Sequence, residues 1–110
     1  METSEQFLDR AMKLLQRSDP IPKLLPQIRL GRMPTDSPAL TAILDSWLEA
    51  YIQVLKDAQA VLEVGGVLRL DPNPRIEVLV EAGVLKEDHP HVKTLRDTWS
   101  EALRAAHQRQ

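Results

Sequence analysis

Apolar residues recur at helical spacing along most of the chain, and prolines and glycines divide the pattern into units. Thr3 or Ser4 can cap a helix over about residues 4–17, whose Phe7, Leu8, Ala11, Met12 and Leu15 share one face while Arg10, Lys13 and Arg17 lie elsewhere. Asp19-Pro20 stops it. The stretch 19–38 reads as a Pro-rich connector, because each of its prolines lacks an N–H and restricts the residue before it. A short turn of helix around Lys23 to Leu30, closed by Gly31, is compatible with it.

The strongest periodic run follows. Asp36 or Ser37 as cap, with Pro38 in the first turn, opens a segment free of glycine and proline until Gly65-Gly66. The pattern predicts one helix over about 37–64. Leu40, Ile43, Leu44, Trp47, Leu48, Tyr51, Val54, Leu55, Ala58, Val61 and Leu62 fall on one arc and Asp45, Glu49, Gln53, Lys56, Asp57 and Glu63 on the other. Such a helix of roughly 28 residues would span about 42 Å. A compact chain of this size has a radius of gyration near ~13 Å, a sphere roughly 34 Å across. The helix would therefore outrun its own protomer, and its apolar stripe would be covered by a second subunit. On this reading Leu44, Trp47, Leu48, Tyr51, Leu55 and Leu62 form an oligomer or partner interface.

Residues 67–82 admit two readings. Val67 to Leu70 and Ile76 to Val80 could pair as a hairpin across Asp71-Pro-Asn-Pro74. Alternatively Asn73 caps a short helix over 74–82 that ends at Gly83. The run from Pro74 echoes the run from Pro90 at a spacing of 16, and the second copy is plainly helical over 90–107, with Val92, Leu95, Trp99, Ala102, Leu103 and Ala106 inward. The helix is favoured. The expected architecture is mainly all-α: one helical domain over 1–110.

Composition narrows the function. The 110 residues contain no cysteine, which removes disulfides, thiolate metal sites and thiol catalysis. The charged residues of the first segment do not fit a secretory signal, and no stretch reaches the roughly 20 apolar residues of a membrane span. A cytoplasmic protein without a membrane partner is expected. The formal net charge of -2 hides an uneven distribution. Arg10, Lys13, Arg17, Lys23, Arg29 and Arg32 make the first third mildly basic, and the middle is acidic. Those six are the candidate nucleic-acid contacts, acting collectively across an assembly.

Catalytic signatures are missing: there is no nucleophile elbow, P-loop or dinucleotide fingerprint. His89 and His91 flank Pro90 beside Asp88, but the sequence supplies no further ligand to complete a metal site, so neither metal nor cofactor is expected. His107 lies in the tail. The expectation is a protein that binds macromolecules and is not an enzyme.

One resemblance sharpens it. The order Leu44-Asp-Ser-Trp-Leu-Glu-Ala-Tyr to Ala60-Val-Leu-Glu-Val, then Gly-Gly-Val-Leu, a short insertion and His89-Pro-His-Val-Lys-Thr-Leu-Arg-Asp resembles the small terminase subunit of tailed phages over about residues 38–105. The Gly-Leu-Thr-Pro that closes the core of that family is missing, and the N-terminal arm is short for a separate DNA-binding module. The resemblance implies a ring-forming, non-catalytic DNA-packaging adaptor in the host cytoplasm, with DNA and a large ATPase subunit as partners. A different class competes with it: a small helical regulator or inhibitor that binds a single protein partner.

Overall fold

A computed structural model describes residues 2–109, which hold six helices and no strand. They are α1 (Ser4–Ser18), α2 (Ile21–Arg29), α3 (Pro38–Ala58), α4 (Val64–Arg69), α5 (Asn73–Glu81) and α6 (Pro90–Gln108). The all-α expectation is met, and 73–81 is helix, not hairpin. Thr3 caps α1 with a full capping box: its hydroxyl accepts from Gln6 N–H, and the Gln6 side chain accepts from Thr3 N–H.

Two expectations need correction. Within the connector 19–38 the short helix closed by Gly31 is present as α2 but starts two residues earlier than expected, at Ile21, because Pro20 stands at its N-cap and Pro22 lies in its first turn, where a missing N–H costs nothing. The central helix is 21 residues long and ends at Ala58, short of the expected 64. Just beyond it, Gln59, Ala60 and Val61 donate to carbonyls three residues back, a tightening that turns the chain. Tertiary packing sets this break: Leu62 is 1% and Val67 0% exposed, and the Trp99 indole donates to the Val67 carbonyl at 2.9 Å. Gly65-Gly66 accordingly lie inside α4 and do not cap a helix.

The break removes the geometric case for a second subunit. A 21-residue helix spans about 32 Å, well inside the 47 Å long axis of the protein. Leu44, Trp47, Leu48, Tyr51, Leu55 and Leu62 are all buried within the single chain. They are core.

The chain contains the same unit twice, offset by 52 residues (Asp19 to Asp71). Asp19-Pro-Ile-Pro-Lys-Leu aligns with Asp71-Pro-Asn-Pro-Arg-Ile, Gly31 with Gly83, Asp36-Ser-Pro38 with Asp88-His-Pro90, and Asp45-Ser-Trp-Leu-Glu-Ala50 with Asp97-Thr-Trp-Ser-Glu-Ala102. Local geometry repeats with the residues. Asp19 Oδ1 accepts from Ile21 N–H at 2.9 Å, and Asp71 Oδ1 from Asn73 N–H at 2.9 Å. Gly31 and Gly83 take φ 72° and 79°, the left-handed turn that closes α2 and α5 and that side chains with a Cβ disfavour. At both sites a carbonyl of the closing turn accepts from the residue after the glycine, Gln27 from Arg32 and Leu79 from Val84.

The two units stack by displacement, with equivalent helices side by side: α3 packs most extensively on α6, and α1 meets α4. Near the start of α6, His89 Nε2 lies 3.4 Å from Asp45; farther along, Glu101 accepts from the Gln59 side chain at 3.4 Å. The two helices therefore run parallel and use different faces. On α3 the side carrying Asp45, Leu48, Ile52 and Leu55 is turned inward, whereas Asp97, Ser100, Arg104 and His107 at the equivalent positions of α6 are polar and exposed. Conversely Leu95, Thr98 and Ala102 are buried, while their counterparts Ile43 and Ser46 are exposed and Ala50 is half-buried. The stack is closed by polar residues at one end and open at the other.

Between the units, the Tyr51 hydroxyl donates to the Leu70 carbonyl at 2.6 Å. Burial, reinforced by Asp71, pushes this phenol well above the ordinary tyrosine range. A raised folded-state pKa means its contribution is fully present below the unfolded value of about 10 and is lost as pH climbs toward the folded value. Above about pH 10 this single group should steepen the loss of stability by about 1.4 kcal/mol per pH unit. Urea unfolding from about pH 8 to about pH 11, on both sides of the ordinary phenol value, checks it. Tyr51→Phe should remove that extra slope, at a cost of about 1 kcal/mol near neutrality; equal slopes in the two proteins would refute it.

Candidate functional site

The six cations singled out in the sequence are all exposed, but they are not equivalent. Arg10 is committed locally: its guanidinium donates to both Glu2 carboxylate oxygens at 2.9 and 3.0 Å and lies 5.2 Å from the Phe7 ring centroid. That hydrogen-bonded pair holds the Glu2 carboxyl below its usual range and raises Arg10. Lys13 pairs with Asp9 one turn back at 3.0 Å. Arg17, Lys23, Arg29 and Arg32 meet no carboxylate at ion-pair distance among the described residues. They occupy the last turn of α1, α2 and the turn after it. Of the six, these four lack an ion-pair partner among the described residues.

A second group of polar residues lines a cleft of about 180 Å³ between the two units, formed by Met12, Asp19, Trp47, Tyr51, Arg69 and Arg75 among others. Asp19 is buried, accepts from Ile21 N–H just before α2 and pairs at 3.3 Å with Arg75, the first-turn cation of α5. One buried carboxylate thus organises a helix start in its own unit and ties it to the other. Trp47 and Tyr51 pack edge to face, with centroids 5.5 Å apart and ring planes at 87°. These groups join the units by hydrogen bonds and packing.

A third cluster was only half visible in the sequence. The repeat brings α3 against the start of α6, so Asp45 and Glu49, and not Asp88, meet His89 and His91. Asp45 Oδ1 lies 3.4 Å from His89 Nε2 and 3.8 Å from His91 Nδ1, and Glu49 Oε1 lies 3.3 Å from His91 Nε2. The two imidazoles stack at 5.1 Å between centroids. His89 caps α6, its Nδ1 accepting from His91 N–H at 3.0 Å. Asp45 and His89 also line an open cleft of about 370 Å³ together with Asp36 and Lys86. Asp45 is remote from both histidines along the chain, so no motif of local spacing links it to them. Periodicity places Asp45 on the polar arc of α3, and only the stacking of the units aims that arc at α6.

The outer face of α3 is the fourth feature. Ile43, which helical spacing puts on the apolar arc, is instead 44% exposed, at the position where the second unit buries Leu95 completely, because no element among the described residues covers that edge of α3. No helix among the described residues is long and apolar enough to cross a membrane. No family model matches the chain, and no curated protein or solved structure does either.

Proposed function

We propose that the protein is a non-catalytic, self-assembling helical adaptor, working in the manner of a phage small terminase subunit: it assembles, holds DNA and presents it to a large ATPase subunit. The observation that carries this reading is the open end of the stack. The face of α6 bearing Leu95, Thr98 and Ala102 is buried, whereas the matching face of α3 is exposed at Ile43 and Ser46 and half-buried at Ala50. A surface of that kind suits a further helix. Arg17, Lys23, Arg29 and Arg32, repeated around an assembly, would supply the phosphate contacts that a single chain of net charge -2 cannot.

The same open face favours a second reading, a regulator that binds one protein partner through Ile43. Light scattering over a concentration series separates the two. The adaptor gives a closed assembly of many subunits, and Ile43→Glu reduces it to the 12.5 kDa chain without loss of helix. DNA titrated at two salt concentrations should then bind the assembly with a steep salt dependence and the dispersed variant feebly. A monomer at every concentration, indifferent to DNA, overturns the adaptor and leaves the regulator.

A further inference from the structure

We propose that Asp45, His89 and His91 bind one divalent transition-metal ion, of the kind zinc represents, with Glu49 as the carboxylate that orients His91. The site would clip α3 of the first unit to the start of α6 in the second, and it stands independently of whether the protein assembles.

The geometry gathers the ligand atoms of Asp45, His89 and His91 in one place. His91 Nε2 faces the Glu49 carboxylate at 3.3 Å, which suits a ring proton on that nitrogen. A neutral imidazole then has its lone pair on Nδ1. That atom is buried and has no hydrogen-bond partner, and it faces Asp45 Oδ1 at 3.8 Å. With the ring proton on Nε2, Nδ1 would set a lone pair against that carboxylate, and a cation between the two atoms would reverse the sign. A carboxylate behind an imidazole whose far nitrogen carries the lone pair is the outer-shell arrangement that fixes metal-binding histidines.

The His89–Asp45 distance and the local charge agree with this. Ligand atoms around a tetrahedral ion with bonds of about 2.0–2.1 Å lie about 3.3–3.4 Å apart. Here His89 Nε2 and Asp45 Oδ1 are 3.4 Å apart, His91 Nδ1 and Asp45 Oδ1 3.8 Å, and ligand atoms of all three residues lie within 4.8 Å of one another. Two imidazoles with a carboxylate select zinc, cobalt or nickel over calcium or magnesium, which prefer all-oxygen shells. Asp45 and Glu49 together offset a double positive charge, which the N-terminus of α6 alone would repel.

The second copy of the unit shows that the histidines are not demanded by the fold. At the equivalent helix start the residues are Ser37 and Ala39. The backbone is the same, φ -61° and ψ 129° at Ser37 against -59° and 135° at His89, and Ser37 makes no side-chain cap bond. Binding through His89 Nε2 moves the ring proton to Nδ1 and gives up the bond from His91 N–H. Helix α3 starts on Pro38 without any such bond, so α6 can do so on Pro90.

The repeat also supplies the control. His89→Ser with His91→Ala installs the residues that the first unit uses, which keeps the helix start intact. Titration of the full chain with zinc chloride in a calorimeter should show one equivalent bound with micromolar or tighter affinity, and cobalt should develop the visible absorption of a four-coordinate ion. The double variant and Asp45→Asn should lose both signals while circular dichroism stays unchanged, and zinc should raise the unfolding midpoint of the native chain only. Glu49→Gln should weaken binding about 10–100-fold without abolishing it. Absence of binding up to millimolar zinc overturns the proposal. So does binding by the double variant equal to that of the native chain, which would place the ion elsewhere, for example on His107.

Discussion

In the dispersed single chain, Leu95→Glu is expected to cost the native state roughly 4 kcal/mol or more, whereas Ile43→Glu, the same kind of change at the equivalent position of the first unit, should cost no more than about 1 kcal/mol. Leu95 is 0% exposed and Ile43 44% exposed. A carboxylate at 95 would lie between α6 and the face of α3 that carries Leu48 and Leu55. It would lose its water, with no cation placed to receive it, and the aliphatic packing would go as well. At 43 the new carboxylate projects into solvent. Chemical denaturation of the two variants checks the contrast. Equal losses would mean that the two faces are used alike, and would contradict the displaced stacking of the units.

The contrast has a structural meaning. A two-fold pairing of like units would bury the same positions on both, whereas here each unit offers a different face and the unused faces differ in character. Ser100, Arg104 and His107 take the places of Leu48, Ile52 and Leu55 at one end, which ends the series with polar groups. The other end keeps Ile43. Repeated helical arrays need such polar ends for solubility, and at the other end Ile43 stands exposed beside Ser46.

Much of this was legible in local patterns and some was not. Capping and apolar spacing located α1 and α6, and Gly83 marked the end of α5, because these signals act within a turn or two of the residues concerned. The end of α3 was hidden: Gln59 to Glu63 contains no glycine or proline, and the chain turns there because Leu62 and Val67 find cover against other helices. The echo at a spacing of 16 paired Pro74 with Pro90 because both lie at helix starts, but the counterpart of Pro90 is Pro38 and that of Pro74 is Pro22. The offset of 52 is obscured by substitutions that have a reason. Leu48 against Ser100 and Leu55 against His107 differ because one copy faces its neighbour and the other faces water. The metal-ligand cluster was unreadable for a related reason, since Asp45 reaches the histidines through the stacking alone.

Leu55→Ala should destabilise the chain by about 2–5 kcal/mol, the cost of removing a fully buried leucine and leaving a cavity that rigid neighbours fill only in part. Leu55 is 0% exposed within one protomer, on α3 between its own unit and α6. Its loss should therefore be the same at every protein concentration and should leave the solution mass untouched. A subunit-interface residue would behave in the opposite way: truncation would weaken association, and the apparent loss of stability would grow on dilution. Urea unfolding of the variant and the native chain at two concentrations, read with light scattering on the same samples, distinguishes these outcomes. A concentration-dependent loss would restore α3 as an assembly element through Leu55. A constant loss leaves the exposed face around Ile43 as the place where another chain can add, because the inner face of α3 is already committed to joining the two halves of its own.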